Sequence, residues 1–204
     1  MDRQHKGCYE MLILIAAVLV AAVALLRGGS LSHFVDLPLR WVPLVVAALA
    51  LQLLIFTPFL KAPIIPVLTV PLYILSMALL IGWVAANRHI PGMAIMAVGL
   101  LSNFVAIVAN GGRMPVAIQQ AIYAGTIDRY ATGDLALHNN SIATAGPVRL
   151  WLLTDILALP AGVPLANVYS IGDVLLAIGA SVLCWRTVRG AGRAMAAEDK
   201  KIVS

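Results

Sequence analysis

Five runs of 18 to 23 residues with almost no charge dominate this chain, at 9–26, 41–60, 64–86, 90–109 and 171–188. A helix rises about 1.5 Å per residue, so each run matches a hydrocarbon core about 30 Å thick. A helix on the surface of a soluble domain carries a charged, polar face, and these runs have almost no charge. Composition agrees, since 61% of the residues are hydrophobic, 11% are charged and the mean hydropathy is +0.94. The expected fold class is therefore all-α: one polytopic transmembrane helix bundle over residues 1–204, with five spans.

The punctuation between runs fits that reading. Arg27-Gly28-Gly29 ends the first run, Lys61 with Pro63 and Pro66 separates the second from the third, and Asn87 to Gly92 opens the fourth. Arg27 directly after Leu25-Leu26 makes the first run a retained anchor rather than a cleaved signal. Between the fourth and fifth runs lies a long loop, 110–170, with a short helix expected over 116–124 and a surface loop over 128–140. Its apolar stretch 147–159 holds Arg149, Trp151 and Asp155 and is too short to span, so it reads as an interfacial or re-entrant helix.

Lysine and arginine set the orientation. Arg27, Arg40, Arg88, Arg186, Arg189, Arg193, Lys200 and Lys201 share one side, while Arg3, Lys6 and Lys61 share the other with the long loop. The C-terminus is expected to be cytoplasmic and 110–170 extracytoplasmic, in a plasma (inner) membrane. A net charge of +5 raises the question of nucleic acid, but the basic residues are scattered through short loops and the tail. Anionic lipid headgroups are the expected partners.

Polar residues gather on single helix faces. Gly99, Asn103, Ala106 and Asn110 share one face of the fourth run, and Asp173, Ala177, Ala180 and Cys184 share one face of the fifth. Thr69, Tyr73 and Ser76 in the third run and Gln52 in the second complete the set. Such faces turn inward, where small residues and amides tie helices together.

Two motifs stand out in and beside the long loop. Asn110-Gly111-Gly112-Arg113-Met114-Pro115 combines a helix-stop signal with a polar pair, Asn110 and Arg113, suited to binding. Ser170-Ile171-Gly172-Asp173 fits a capping box, with the carboxylate in the first turn of the last run. Asp155 precedes Asp173 by 18 residues, and Pro160, Gly162 and Pro164 permit a reversal between them. Two carboxylates in one semi-dry pocket split their pKa values, one serving as base toward water and the other as acid, which is aspartyl hydrolase chemistry. The alternative is an ion pair from Arg113 to Asp155 or Asp173 that pins the loop.

No metal or cofactor site is expected. His5, His33, His89 and His138 lie in four separate segments, Cys8 and Cys184 are far apart, and no glycine-rich phosphate cradle occurs.

Through Asn110 to Pro115 and Asn167-Val168-Tyr169-Ser170-Ile171-Gly172-Asp173, the chain resembles an uncharacterised family of bacterial integral-membrane proteins carrying both motifs. That likeness extends to Leu26-Arg27-Gly28-Gly29 and implies a membrane fold without a defined activity. Tyr169 to Gly179 and Asn110-x-Gly112 are also similar, in part, to signal peptidase II, the membrane aspartyl protease that trims lipoprotein signal peptides. That resemblance implies catalytic roles for Asp155 and Asp173. It departs from the pattern where Ser170 replaces an asparagine, where Leu152 and Ile156 replace an asparagine and an arginine around Asp155, and in the order of spans.

The expected function is a non-catalytic scaffold or accessory subunit bound to a protein partner in a membrane assembly. The alternative is a membrane-embedded aspartyl hydrolase using Asp155 and Asp173, assisted by Asn110 and Arg113.

Overall fold

The computed structural model describes residues 9–56, 68–130 and 141–190. Five long helices lie on the five apolar runs: α1 (Tyr9–Leu26), α2 (Val42–Phe56), α3 (Thr69–Ala86), α4 (Met93–Ala109) and, after the long connection, α6 (Ile171–Val188). They pack as a row, with α2 on α3, α3 on α4, α4 on α6 and α6 on α1. A sixth helix, α5 (Ile118–Tyr123), has six residues and belongs to the connection.

Two of these helices, α3 and α6, are long and apolar enough to cross a membrane over fully described residues; α2, α4 and the fully described part of α1, Ile13–Leu26, are shorter. Five full-length spans are therefore not what the described residues contain. Gly92, in the left-handed region at φ 92°, caps α4, which begins at Met93, three residues into its apolar run, and Trp41, at φ 57°, precedes the start of α2 at Val42. The expected loop around Lys61, Pro63 and Pro66 lies outside the described residues, as do His138 and the basic tail beyond residue 190.

The core of the row is built from Ile55, Tyr73, Met77, Val84, Met93, Leu100, Ile107 and Leu176, with Phe56 edge-on to Tyr73 at 5.1 Å. Polar ties sit where the helix faces placed them. Gln52 Nε2 donates to Ser76 Oγ at 3.2 Å, and Ser76 Oγ donates to the Tyr73 carbonyl at 2.7 Å, joining α2 to α3.

The expectation of an all-α chain is corrected between residues 110 and 170. There β1 (Met114–Ala117) pairs in parallel with β2 (Ser141–Thr144), and β3 (Leu157–Ala158) pairs antiparallel with β4 (Val168–Tyr169). A parallel bridge joins Val116 of β1 to Asp155, two residues before β3. The stretch 147–159, expected as a short helix, is instead a 3-10 turn at Trp151–Leu153 leading into β3. Leu150, at φ 54°, breaks any longer helix there. Val116, Ala121, Ala124, Tyr130 and Val168 give this α/β cap a small core of its own.

Candidate functional site at the joint of cap and bundle

The cap meets the bundle where α4 ends and α6 begins. The Asn110-Gly111-Gly112 segment is a Schellman stop. The Gly112 N–H donates to the Ile107 carbonyl at 2.8 Å and the Gly111 N–H to the Val108 carbonyl at 3.3 Å, with both glycines left-handed. Asn110 does more than end the helix. Its Nδ2 donates to the Ala106 carbonyl at 2.8 Å and to the Arg149 carbonyl at 2.9 Å, while its Oδ1 accepts the Arg149 N–H at 3.0 Å. The side-chain amide thus pairs with the Arg149 peptide as a neighbouring strand would. Arg113 is half-buried on the turn into β1, and among the described residues it forms no ion pair with Asp155 or Asp173.

At the start of α6 the capping box is complete. The Asp173 N–H donates to Ser170 Oγ and the Ser170 N–H donates to Asp173 Oδ2, both at 2.9 Å. Asn103 closes the arrangement from α4, donating from Nδ2 to Asp173 Oδ1 at 2.8 Å and accepting from Ser170 Oγ at 2.8 Å. Asn103 and Ser170 are buried, so each polar atom of this ring is satisfied from within it. The ring rests on close helix approach: a Cβ on Gly99 would lie 2.6 Å from the Gly172 carbonyl oxygen, and one on Gly179 would lie 2.8 Å from that of Gly92.

Asp155 is the exception at this joint. Its backbone is fixed, with its N–H donating to the Pro115 carbonyl at 3.0 Å and its carbonyl accepting from Ala117 at 3.2 Å. Its side chain is 7% exposed, and no described residue donates a hydrogen bond to the carboxyl. Burial holds its pKa well above the usual carboxylate range, and the negative charge of Asp173 raises it further. The structure thus brings Asp155 within electrostatic reach of Asp173, through the reversal formed by β3 and β4. Asn110 and Arg113 belong to the neighbouring turn rather than to hydrogen bonds with this pair.

A cleft of about 350 Å³ opens on the cap beside β1 and β2. Thr154 and Ile156 line it, whereas Asp155 between them does not, as the alternation of an extended chain dictates. Sequence reasoning missed three features here: the Arg149 peptide as the partner of Asn110, Asn103 as the partner of Asp173, and Asn167. Asn167 is fully buried, and neither its Nδ2 nor its Oδ1 has a hydrogen-bond partner among the described residues. The sequence signal for the Asn103 contact was the shared face with Gly99; nothing local announced the other two.

These features define a row of apolar helices carrying a small α/β cap, with a polar ring and one buried acid at the joint. Residues 36–185 match a family of unknown function, DUF5317, and the chain belongs to that family. No curated protein and no solved structure matches it.

Proposed function

We propose that this chain is an integral membrane protein of five spans that acts without catalysis, as a scaffold or accessory subunit of a membrane assembly. The observation that carries the membrane part is the burial of the longest apolar helices. Only 22% of the α3 window and 33% of the α6 window is buried within the chain. A core helix of a soluble protein would be mostly enclosed, so lipid is the natural cover for this surface. The arginine-rich end, with Arg27, Arg88, Arg186 and Arg189, lies on the cytoplasmic side under the positive-inside rule, and the cap is extracytoplasmic.

The accessory role rests on how the joint uses its polar groups: the ring of Asn103, Ser170 and Asp173 bonds to itself, and Asn110 bonds to Arg149. The partner is a second membrane protein; nucleic acid has no place in this reading. The test is extraction in a mild detergent followed by mass measurement of the purified particle. A fixed-stoichiometry complex larger than the 21.6 kDa chain, retained in Asp155→Asn, is expected. A particle holding this chain alone would overturn the accessory role.

One observation favours a second reading, the aspartyl hydrolase. Asp155 is a buried carboxyl with no donor among the described residues, and the charge of Asp173 acts on it, the asymmetry in which one group serves as acid and the other as base. Under this reading Asp155→Asn and Asp173→Asn each abolish cleavage of a membrane-inserted substrate while leaving the helical circular dichroism intact. Turnover surviving in either variant would end it.

A further inference from the structure

The two ends of α4 carry the same device. Asn87 caps α3 and Asn110 caps α4, and because these helices are antiparallel neighbours the two caps lie at opposite ends of the bundle. Asn87 Nδ2 donates to the carbonyl four residues back, Trp83, at 2.8 Å and to the Arg40 carbonyl at 2.9 Å, while its Oδ1 accepts the Arg40 N–H at 2.7 Å. Asn110 treats Ala106 and Arg149 in the same way. In each case the residue after the arginine adopts a left-handed conformation that bulky side chains rarely take, Trp41 at φ 57° and Leu150 at φ 54°. In each case a tryptophan is presented outward, Trp41 at 69% and Trp151 at 59% exposure.

We propose that these two clasped turns are phospholipid anchors, one for each leaflet, and that the Arg149 turn takes the phosphate of an anionic lipid headgroup. The proposal rests on the membrane-spanning reading above. Spacing supports it, because the 17 residues of α4 separate the turns by about 25 Å, close to a hydrocarbon thickness of about 30 Å. Between them α4 presents Val98, Leu101, Val105 and Val108 outward, a surface suited to acyl chains. Chemistry supports it as well. Leu150, Trp151 and Leu152 are all about half exposed beside the exposed Arg149, an apolar cluster with a cation at its edge. Tryptophan favours the headgroup level of a bilayer, and a guanidinium matches a phosphate with two parallel hydrogen bonds. The Asn110 clasp holds only the Arg149 backbone, so the guanidinium is left to the lipid. Val148 and Trp151, flanking this arginine, also line the cap cleft, which gives the lipid's glycerol region room beside its phosphate.

The test uses two single-tryptophan variants, one retaining Trp41 and one Trp151 with the others changed to phenylalanine, in phosphatidylglycerol–phosphatidylcholine vesicles. Bromines near the carbonyl end of the acyl chains are expected to quench both tryptophans more than bromines near the methyl end. In native mass spectrometry, Arg149→Gln is expected to lower retained phosphatidylglycerol about fivefold, the effect of one basic residue at an anionic surface. This change leaves the backbone clasp in place. Quenching of Trp151 by aqueous iodide but by neither bromolipid, or unchanged phosphatidylglycerol retention in Arg149→Gln, would overturn the proposal. Alkaline carbonate extraction separates this from failure of the spanning reading: a chain that stays in the membrane pellet with iodide-accessible tryptophans is embedded but not anchored as proposed.

Discussion

Replacing Gly172 by alanine tests whether the contact between α4 and α6 sets the joint. A methyl at this position would point into the Asn103 amide, 2.6 Å from its Cγ and 2.7 Å from the Gly99 carbonyl oxygen. Ordinary contact begins near 3.4 Å, so against the Gly99 backbone the helices must part by about 0.7 Å. Overpacking of this kind costs about 1–3 kcal/mol. Parting the helices also weakens the two bonds that Asn103 makes to Asp173 and Ser170, each worth about 0.5–1 kcal/mol in an apolar setting. The expected loss is about 2–4 kcal/mol, read by reversible unfolding in mixed micelles followed by circular dichroism. Gly82→Ala in α3 is the control. Its nearest neighbour is Leu44 Cδ1 at 3.9 Å, so the change is expected to be neutral or to stabilise by up to about 1 kcal/mol through helix propensity. A Gly172→Ala protein within about 0.5 kcal/mol of the parent, the usual spread for inert surface changes, would refute the reasoning.

Asp155→Asn is expected to flatten the pH dependence of stability. A carboxyl whose folded pKa is raised supports the fold fully below its unfolded pKa and loses that support as pH climbs through the raised value, so the parent weakens with rising pH and the variant does not; unfolding midpoints measured from acid to mildly alkaline pH decide this. Asn110→Ala removes three hydrogen bonds and is expected to cost about 1.5–3 kcal/mol, with faster proteolysis near Arg149 as the readout. Asn167→Leu removes two buried polar atoms that have no partner among the described residues, and a gain of about 1 kcal/mol in thermal unfolding is expected; a loss above that size would mean the amide is bonded in the folded protein.

Legibility followed the length of the signal. Runs of 18 residues or more located all five long helices, and spacing on one face identified Gly99, Asn103, Ala106 and Asn110 as inward-facing, three of them buried. The Ser-x-x-Asp spacing was a complete local device and formed as read at Ser170 and Asp173. The strands were not legible, because β1 to β4 have only two to four residues each and no alternation can develop over that length. Pro115 in β1 even argued against a strand, since it lacks an N–H. The stretch 147–159 misled because apolarity without periodicity does not separate a helix from a turn and strand. Asn87 looked like loop punctuation. Its role depends on Arg40, 47 residues away, and no window on the sequence joins the two.

Valence narrows what the joint can still do. An asparagine amide offers two donors and one acceptor oxygen, and Asn110 has committed both donors and one lone pair to Ala106 and Arg149. It therefore holds a ligand only through a remaining lone pair, which suits a donor and not an anion. Asp173 receives a hydrogen bond on each oxygen, from Asn103 and from Ser170, and each bond fixes its orientation. At this joint it is Asp155 whose carboxyl has no donor among the described residues. A largely buried carboxyl without a protein donor favours its neutral form, which is the direction in which its pKa is shifted. Under the hydrolase reading, Asp155 with its raised pKa is the candidate acid and Asp173, oriented by Asn103 and Ser170, its partner. Activity that survived Asp155→Asn would end that reading, because Asp173 alone does not supply the asymmetric pair it requires.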